Sequence, residues 1–281
     1  MSSMTQQGAQ YNPTSAPTDL KFFVYEKRDH IAYLTINRPE VLNALNAYCY
    51  SEMRRCWNDV ARDPDIYVAV VTGAGDRAFC GGLDVKFLAD HQAKGVPTPS
   101  ADPNSEHYLA DGRTPLPGDV GLDKPVIAAI NGLAVGVGLG LVLQCQLRVM
   151  SDDAWLGDQH TNIGRLGNPT RIYAELPHAT AAYLTLCNGR LSAAECLSQG
   201  IVNRVVPRAD VISQAEELAR MVCGSAPRAV QAAVRLYRLA KADPVLGDYS
   251  LHLNQEIAAG PDATEGPRAF KERRTPAWSG Q

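Results

Sequence analysis

The stretch that decides the fold is Val126-Ile127-Ala128-Ala129-Ile130, followed by Asn131-Gly132-Leu133-Ala134-Val135-Gly136-Val137-Gly138-Leu139-Gly140 and the apolar run Leu141-Val142-Leu143. Five consecutive apolar residues read as a strand covered on both faces. The glycines let backbone approach a ligand closely. The apolar run reads as a helix whose first free N–H groups lie at a positive helix end.

A second stretch repeats the plan upstream. Ile66 to Val71 reads as a buried strand, Thr72-Gly73-Ala74-Gly75-Asp76 as a turn, and Ala78-Phe79-Cys80-Gly81-Gly82-Leu83-Asp84 as glycines opening a helix. Neither glycine cluster fits a dinucleotide fingerprint, because Ala78 and Leu141 stand where the third glycine belongs, and there is no GxxxxGK[ST]. A nicotinamide oxidoreductase is therefore a distant reading and an ATPase has no support.

Outward from these stretches, Ile31 to Ile36 reads as a strand and Asn43 to Arg62 as an amphipathic helix. Residues 91 to 123 are rich in Pro, Asp and Gly and lack periodicity, as in a lid or binding loop. Leu147 to Met150 and Ile201 to Val206 read as further strands. Ser192-Ala193-Ala194-Glu195 is a capping box with Gly200 as the stop, and helices are expected from Asp210 to Cys223 and from Pro227 to Ala242. The order is strand–helix alternation, then helices, which predicts an α/β fold.

The 281 residues carry 45% hydrophobic and 20% charged residues and a net charge of −3, with basic residues scattered. That is an ordinary globular composition, with no basic stripe for nucleic acid. No apolar run approaches the ~20 residues of a membrane helix. Residues 1–20 are polar and read as a disordered leader rather than a secretory signal. The seven cysteines contain no CxxC pair. They read as reduced thiols in a cytoplasmic protein, and no metal site is expected.

The segment 78–84, then Lys124-Pro125-Val126 through Gly132 and the glycine run, resembles the crotonase superfamily, the enoyl-CoA hydratase/isomerase proteins. Ile36-Asn37-Arg38-Pro39 with Asn43-Ala44-Leu45 is similar to that family's first loop and helix. Ser192 to Glu195 with Gly200-Ile201-Val202 is similar to its later segment, and Asp262 to Gly266 with Ala269-Phe270 and Arg273-Arg274 to its tail. The likeness runs from about residue 21 to 278. It implies a crotonase-like spiral of ββα units (21–208) and a C-terminal helical region (209–281) that trimerises, often as a dimer of trimers. It implies an acyl-CoA thioester substrate with no separate cofactor, CoA being part of the substrate. The thioester oxygen would sit in an oxyanion hole formed by the backbone N–H groups of Leu83 and Val137. Asp84, Val85 and Lys86 fall where family members contact CoA.

The resemblance breaks at the family's two catalytic glutamates, which map to Gly140 and His160. A third place where some relatives carry an Asp reads Asn168-Pro169-Thr170, without an acid. General acid–base groups contribute ~10²–10⁴-fold each. A reaction other than standard syn hydration is therefore expected. His160 is the natural replacement base, since imidazole titrates near ~6.5. Asp158 stands too close in sequence to orient it unless the loop folds back, and a His that only fills the glutamate's space is the bland alternative. His107 and Tyr108 in the long loop, then Glu175 and His178, are more distant candidates. Hydrolysis of a thioester or C–C bond assisted by His160, and acyl-CoA binding without turnover, are the rival functions.

Overall fold

The computed structural model describes residues 17–109, 114–167, 169–241, 252, 255, 258–260 and 262–277. Most of the expected leader, residues 1–16, and Asn168 lie outside the described residues.

Two sheets carry the fold. The larger has the order β1 (Phe23–Arg28), β2 (Ile31–Ile36), β3 (Val68–Gly73), β5 (Val126–Ile130), β7 (Leu147–Ser151) and β10 (Arg204–Val206). It is parallel except for the β1–β2 hairpin. The smaller sheet has the order β4 (Ala78–Cys80), β6 (Leu133–Val135), β8 (Trp155–Gly157) and β9 (Arg190–Ser192). The chain thus passes repeatedly from the large sheet to the small one: β3 to β4 into helix α2 (Val85–Ala93), β5 to β6 into helix α3 (Val137–Gln144), and β7 to β8. This is the expected spiral of ββα units, and C-terminal helices follow it.

All five residues of β5 are buried. Val126, Ala128 and Ile130 face the main core with Trp57, Phe79 and Leu141. Ile127 and Ala129 face a second cluster with Val211, Ala215, Leu218 and Ala219 of helix α7 (Val211–Cys223). Those four recur at helical spacing, so one stripe of α7 seals the outer face of the sheet.

Boundaries differ from the sequence reading for local reasons. Helix α1 spans Ala47–Arg62, not Asn43–Arg62, because Leu42 and Asn43 both take φ 56° and Asn46 caps the first turn, accepting from the Tyr48 and Cys49 N–H groups at 3.1 Å. The strand expected at Ile66 begins at Val68, and the strand expected from Ile201 is only Arg204–Val206. The glycine stretch itself contains β6, and residues 91–93 of the expected loop end α2. Ser192 and Glu195 form the expected capping box at the start of α6 (Ala193–Ser198). All seven cysteines are free thiols, five of them buried. Among the described residues no helix is long and apolar enough to cross a membrane.

Candidate active site

The site lies at the carboxyl ends of β4, β6 and β8. These three strands are parallel neighbours, with Cys80 opposite Ala134 and Val135 opposite Gly157. Whatever follows each strand therefore emerges at one edge, the usual place for ligands in α/β proteins. After β4 comes Gly81-Gly82-Leu83, after β6 comes Gly136-Val137, and after β8 comes Asp158 to His160.

The first two loops are held by backbone. Gly81 N–H donates to the Leu42 carbonyl at 2.8 Å, Leu45 N–H to Gly82 at 2.7 Å, and Asp84 N–H to Leu45 at 2.8 Å. Gly136 N–H donates to the Gly157 carbonyl at 3.0 Å. Gly82 has φ 92°, and a Cβ there would lie 2.7 Å from the Val135 carbonyl oxygen, so the two loops touch. Gly136 has φ 56°, which turns the chain sharply into α3. These are conformations that L side chains rarely adopt. Behind them, the buried Asn43 and Asn131 amides brace the strand ends. Asn43 donates to the Ala74 and Ala78 carbonyls at 2.9 and 2.7 Å, and Asn131 to Gly73 and Gly75 at 2.7 and 2.9 Å.

The outcome is two half-buried residues, Leu83 and Val137, whose N–H groups donate to no acceptor among the described residues. Val137 opens α3, so its N–H stands at the positive end of that helix.

His160 stands against this pair. A Cβ on Gly136 would lie 3.3 Å from its Cε1 and 3.5 Å from its Nε2, and Gly167 closes on its Nδ1 and Cε1. Its Nδ1 is hydrogen-bonded to Oδ1 of Asp158, whose side chain is only 2% exposed while that of His160 is 14% exposed. The loop does fold back: β8 stops at Gly157, and His160 begins a single 3-10 turn, Thr161–Ile163, which brings the residues at i and i+2 together. Proximity in sequence was no obstacle to the pairing. A buried carboxylate on Nδ1 fixes the ring orientation and leaves Nε2 on the Gly136 side.

The remaining candidates separate. Gly140 lies one turn into α3, and a side chain there would meet the Leu116 methyl at 3.4 Å, so this wall is apolar. The Asp84 carboxylate is engaged within the protein, capping α2 through Phe87 N–H at 3.0 Å and pairing with Arg38 at 3.0 Å. Val85 and the exposed Lys86 follow on the first turn of α2. His107 packs edge-on against Tyr48 at 4.8 Å, and Tyr108 is exposed. Glu175 pairs with Arg148 at 3.6 Å, and His178 stacks on Tyr173. Burial pushes the Cys80 thiol up to about 12, so it is protonated and no nucleophile. One residue of this region was missed in the sequence: Arg165, whose guanidinium Nε is buried without a partner. A lone Arg among glycines carries no sequence signal.

Comparison with known proteins gives a consistent result. The sequence model of the enoyl-CoA hydratase/isomerase family matches residues 26–281. The (E)-benzylidenesuccinyl-CoA hydratase of Thauera aromatica is 36% identical over 260 residues, covering 91% of this chain and 98% of that protein. The carnitinyl-CoA dehydratase of Escherichia coli O157:H7 is 35% identical over 260 residues, covering 89% and 95%. The crystal structure of a carnitinyl-CoA hydratase from Mycobacterium avium superposes with a TM-score of 0.78 at 31% identity, covering 92% of this chain and 99% of that one. Agreement of this extent, in sequence and in fold, leaves one assignment: the chain is an enzyme of the enoyl-CoA hydratase/isomerase family, within the crotonase superfamily.

Proposed function

We propose that this enzyme acts on CoA thioesters by a one-base mechanism. The Leu83 and Val137 N–H groups hold the thioester oxygen, and His160, oriented by Asp158, moves the proton. The observation that carries this reading is the Asp158–His160 pair seated against Gly136, beside both free donors. A base must stand within hydrogen-bond reach of the proton it takes, and fixed donors must face the oxygen on which charge develops. Removing a proton next to the thioester carbon, or from a water, places negative charge on that oxygen. No separate cofactor is needed, since CoA travels with the substrate, and Asp84, Val85 and Lys86 border its path. The relatives' hydratase and dehydratase names support chemistry at the carbons beside the thioester. With Gly140 and His160 in the glutamate places, however, standard hydration lacks its two acids.

Loss of enoyl-thioester absorbance from crotonyl-CoA tests this. Turnover far below the median enzyme rate of ~10 s⁻¹ is expected. An ordinary rate would refute the one-base reading. A second reading, hydrolysis of a thioester or C–C bond, is favoured by the same dyad, because His backed by carboxylate activates water. Release of free thiol from a panel of acyl-CoA substrates distinguishes it. Binding without turnover on either assay would make the chain an acyl-CoA binder. We also infer a trimer or a dimer of trimers, from the exposed apolar side chains Leu186, Met221, Leu236 and Phe270 on helical segments. A stable monomer in sedimentation at micromolar concentration would reject the assembly. A cytoplasmic setting agrees with seven unpaired thiols.

A further inference from the structure

Several charged groups in the interior, among the described residues, have partners. Asp59 meets Lys27 at 3.0 Å, and Arg148 donates to the carbonyls of Leu143, Cys145 and Ile201. Arg165 is different. Its Nε is buried with no hydrogen-bond partner, and its guanidinium has no ion pair among the described residues. Burial pushes its pKa down, and the Tyr50 hydroxyl is the group near enough to act against that shift.

Its position explains what this charge could serve. Arg165 N–H donates to the His160 carbonyl at 3.1 Å, so the residue belongs to the turn that presents the base. Tyr50, buried on α1, lies near Thr114 and near Cys80, the last residue before the Gly81-Gly82-Leu83 loop. The half-buried Arg165 thus stands beside the turn that carries His160 and near Tyr50 of α1. A guanidinium is a planar fork matched to a carboxylate, and a half-buried one lacking a counter-charge is suited to take an anion.

We propose that Arg165 binds a carboxylate on the acyl group, so that the substrates are dicarboxylic acyl-CoA thioesters. The inference rests on the acyl-CoA reading above and deepens it. The phosphates of CoA are the rival anions, but they sit at the far end of the pantetheine arm from the reacting carbons, whereas Arg165 sits beside the base.

The test is calorimetric binding of succinyl-CoA against butyryl-CoA, of glutaryl-CoA against valeryl-CoA, and of CoA alone, to the full-length protein. The dicarboxylic thioester should bind roughly tenfold or more tightly than its neutral counterpart, the scale of a charge-assisted hydrogen bond. Arg165→Met should erase that preference and spare the neutral thioesters, and Arg165→Lys should retain part of it. Because no ion pair among the described residues is lost, Arg165→Met should melt no lower than the wild type. Equal affinity for charged and neutral thioesters in the wild type overturns the proposal. So does an equal loss for every ligand including CoA, which would place a CoA phosphate on Arg165. So does a fall in Tm with the preference intact, which would make Arg165 a structural residue. No binding of CoA or any thioester would refute the acyl-CoA reading itself and this proposal with it.

Discussion

The two halves of the site are built differently. The half proposed to hold the thioester oxygen is backbone: Gly82 and Gly136 in left-handed conformations, two N–H groups, and a frame of buried strands braced by Asn43 and Asn131. The half proposed to move the proton is side chain: His160 and Asp158 in the loop after β8, with Arg165 bonded back to it. The backbone half tolerates any side chain that leaves its two N–H groups free. The side-chain half can be rewritten by a single substitution. This difference teaches where reaction type is decided in such a fold. On the proposed reading, the backbone donors polarise the thioester and the side chains around them set what is done with it.

The sharpest way to break the comparison is His160→Ala. Loss of the base should lower kcat about 10²–10⁴-fold, with the Kd for CoA thioesters nearly unchanged. A kcat within a few-fold of wild type, measured on whichever thioester turns over, would remove His160 from the chemistry and move attention to His107 and Tyr108. Next comes Asp158→Asn, which keeps the shape but no longer fixes the imidazole. A fall in kcat of about 10²-fold is expected, smaller than that of His160→Ala. If both variants lose the same rate and the double variant loses no more, the pair acts as one unit.

The backbone half is tested by Gly82→Ala. The methyl would lie 2.7 Å from the Val135 carbonyl oxygen at φ 92°. Strain of this kind should lower stability by about 2–3 kcal/mol, visible as a lower Tm, and kcat should fall with it because Leu83 N–H moves. Unchanged Tm and rate would mean that the two loops are looser than their contacts suggest.

The smallest effect concerns the C-terminal helix Asp262–Glu272, whose Gly266 packs against Ile163 of the turn after His160. Arg274, the Ala277 N–H and Arg268 hold the Glu265 carboxyl well below the usual carboxylate range. A depressed folded pKa contributes stability above the unfolded value of ~4.3, and that stability is lost as pH falls below it. Melting temperatures between pH 6 and 3 should drop more steeply for wild type than for Glu265→Gln. Parallel curves would show that this cluster makes no linkage contribution.

Much was legible in the sequence. The apolar run Val126–Ile130 reads as a strand covered on both faces, since an exposed face would leave two or three apolar side chains in water. Gly81-Gly82 and Gly136 announced tight backbone because few other residues tolerate those conformations. Less legible were β6, β8 and β9, three residues each, too short for periodicity to register and defined only by pairing. The early part of α1 was misread because Leu45 extends the apolar rhythm of the helix while Leu42 and Asn43, just before it, turn left-handed.

By itself, then, the sequence determined the spiral architecture and the two donor loops, because hydrophobic runs and glycines act locally through burial and backbone sterics. Only the tertiary structure decided the chemistry beside them. The parallel register of β4, β6 and β8 brings three separate loops to one edge. The loop after β8 folds Asp158 onto His160, and Arg165 is brought beside that loop without a counter-charge among the described residues. Each of these depends on contacts between residues far apart in the chain or on a turn without a sequence signature, and no local rule of spacing encodes them.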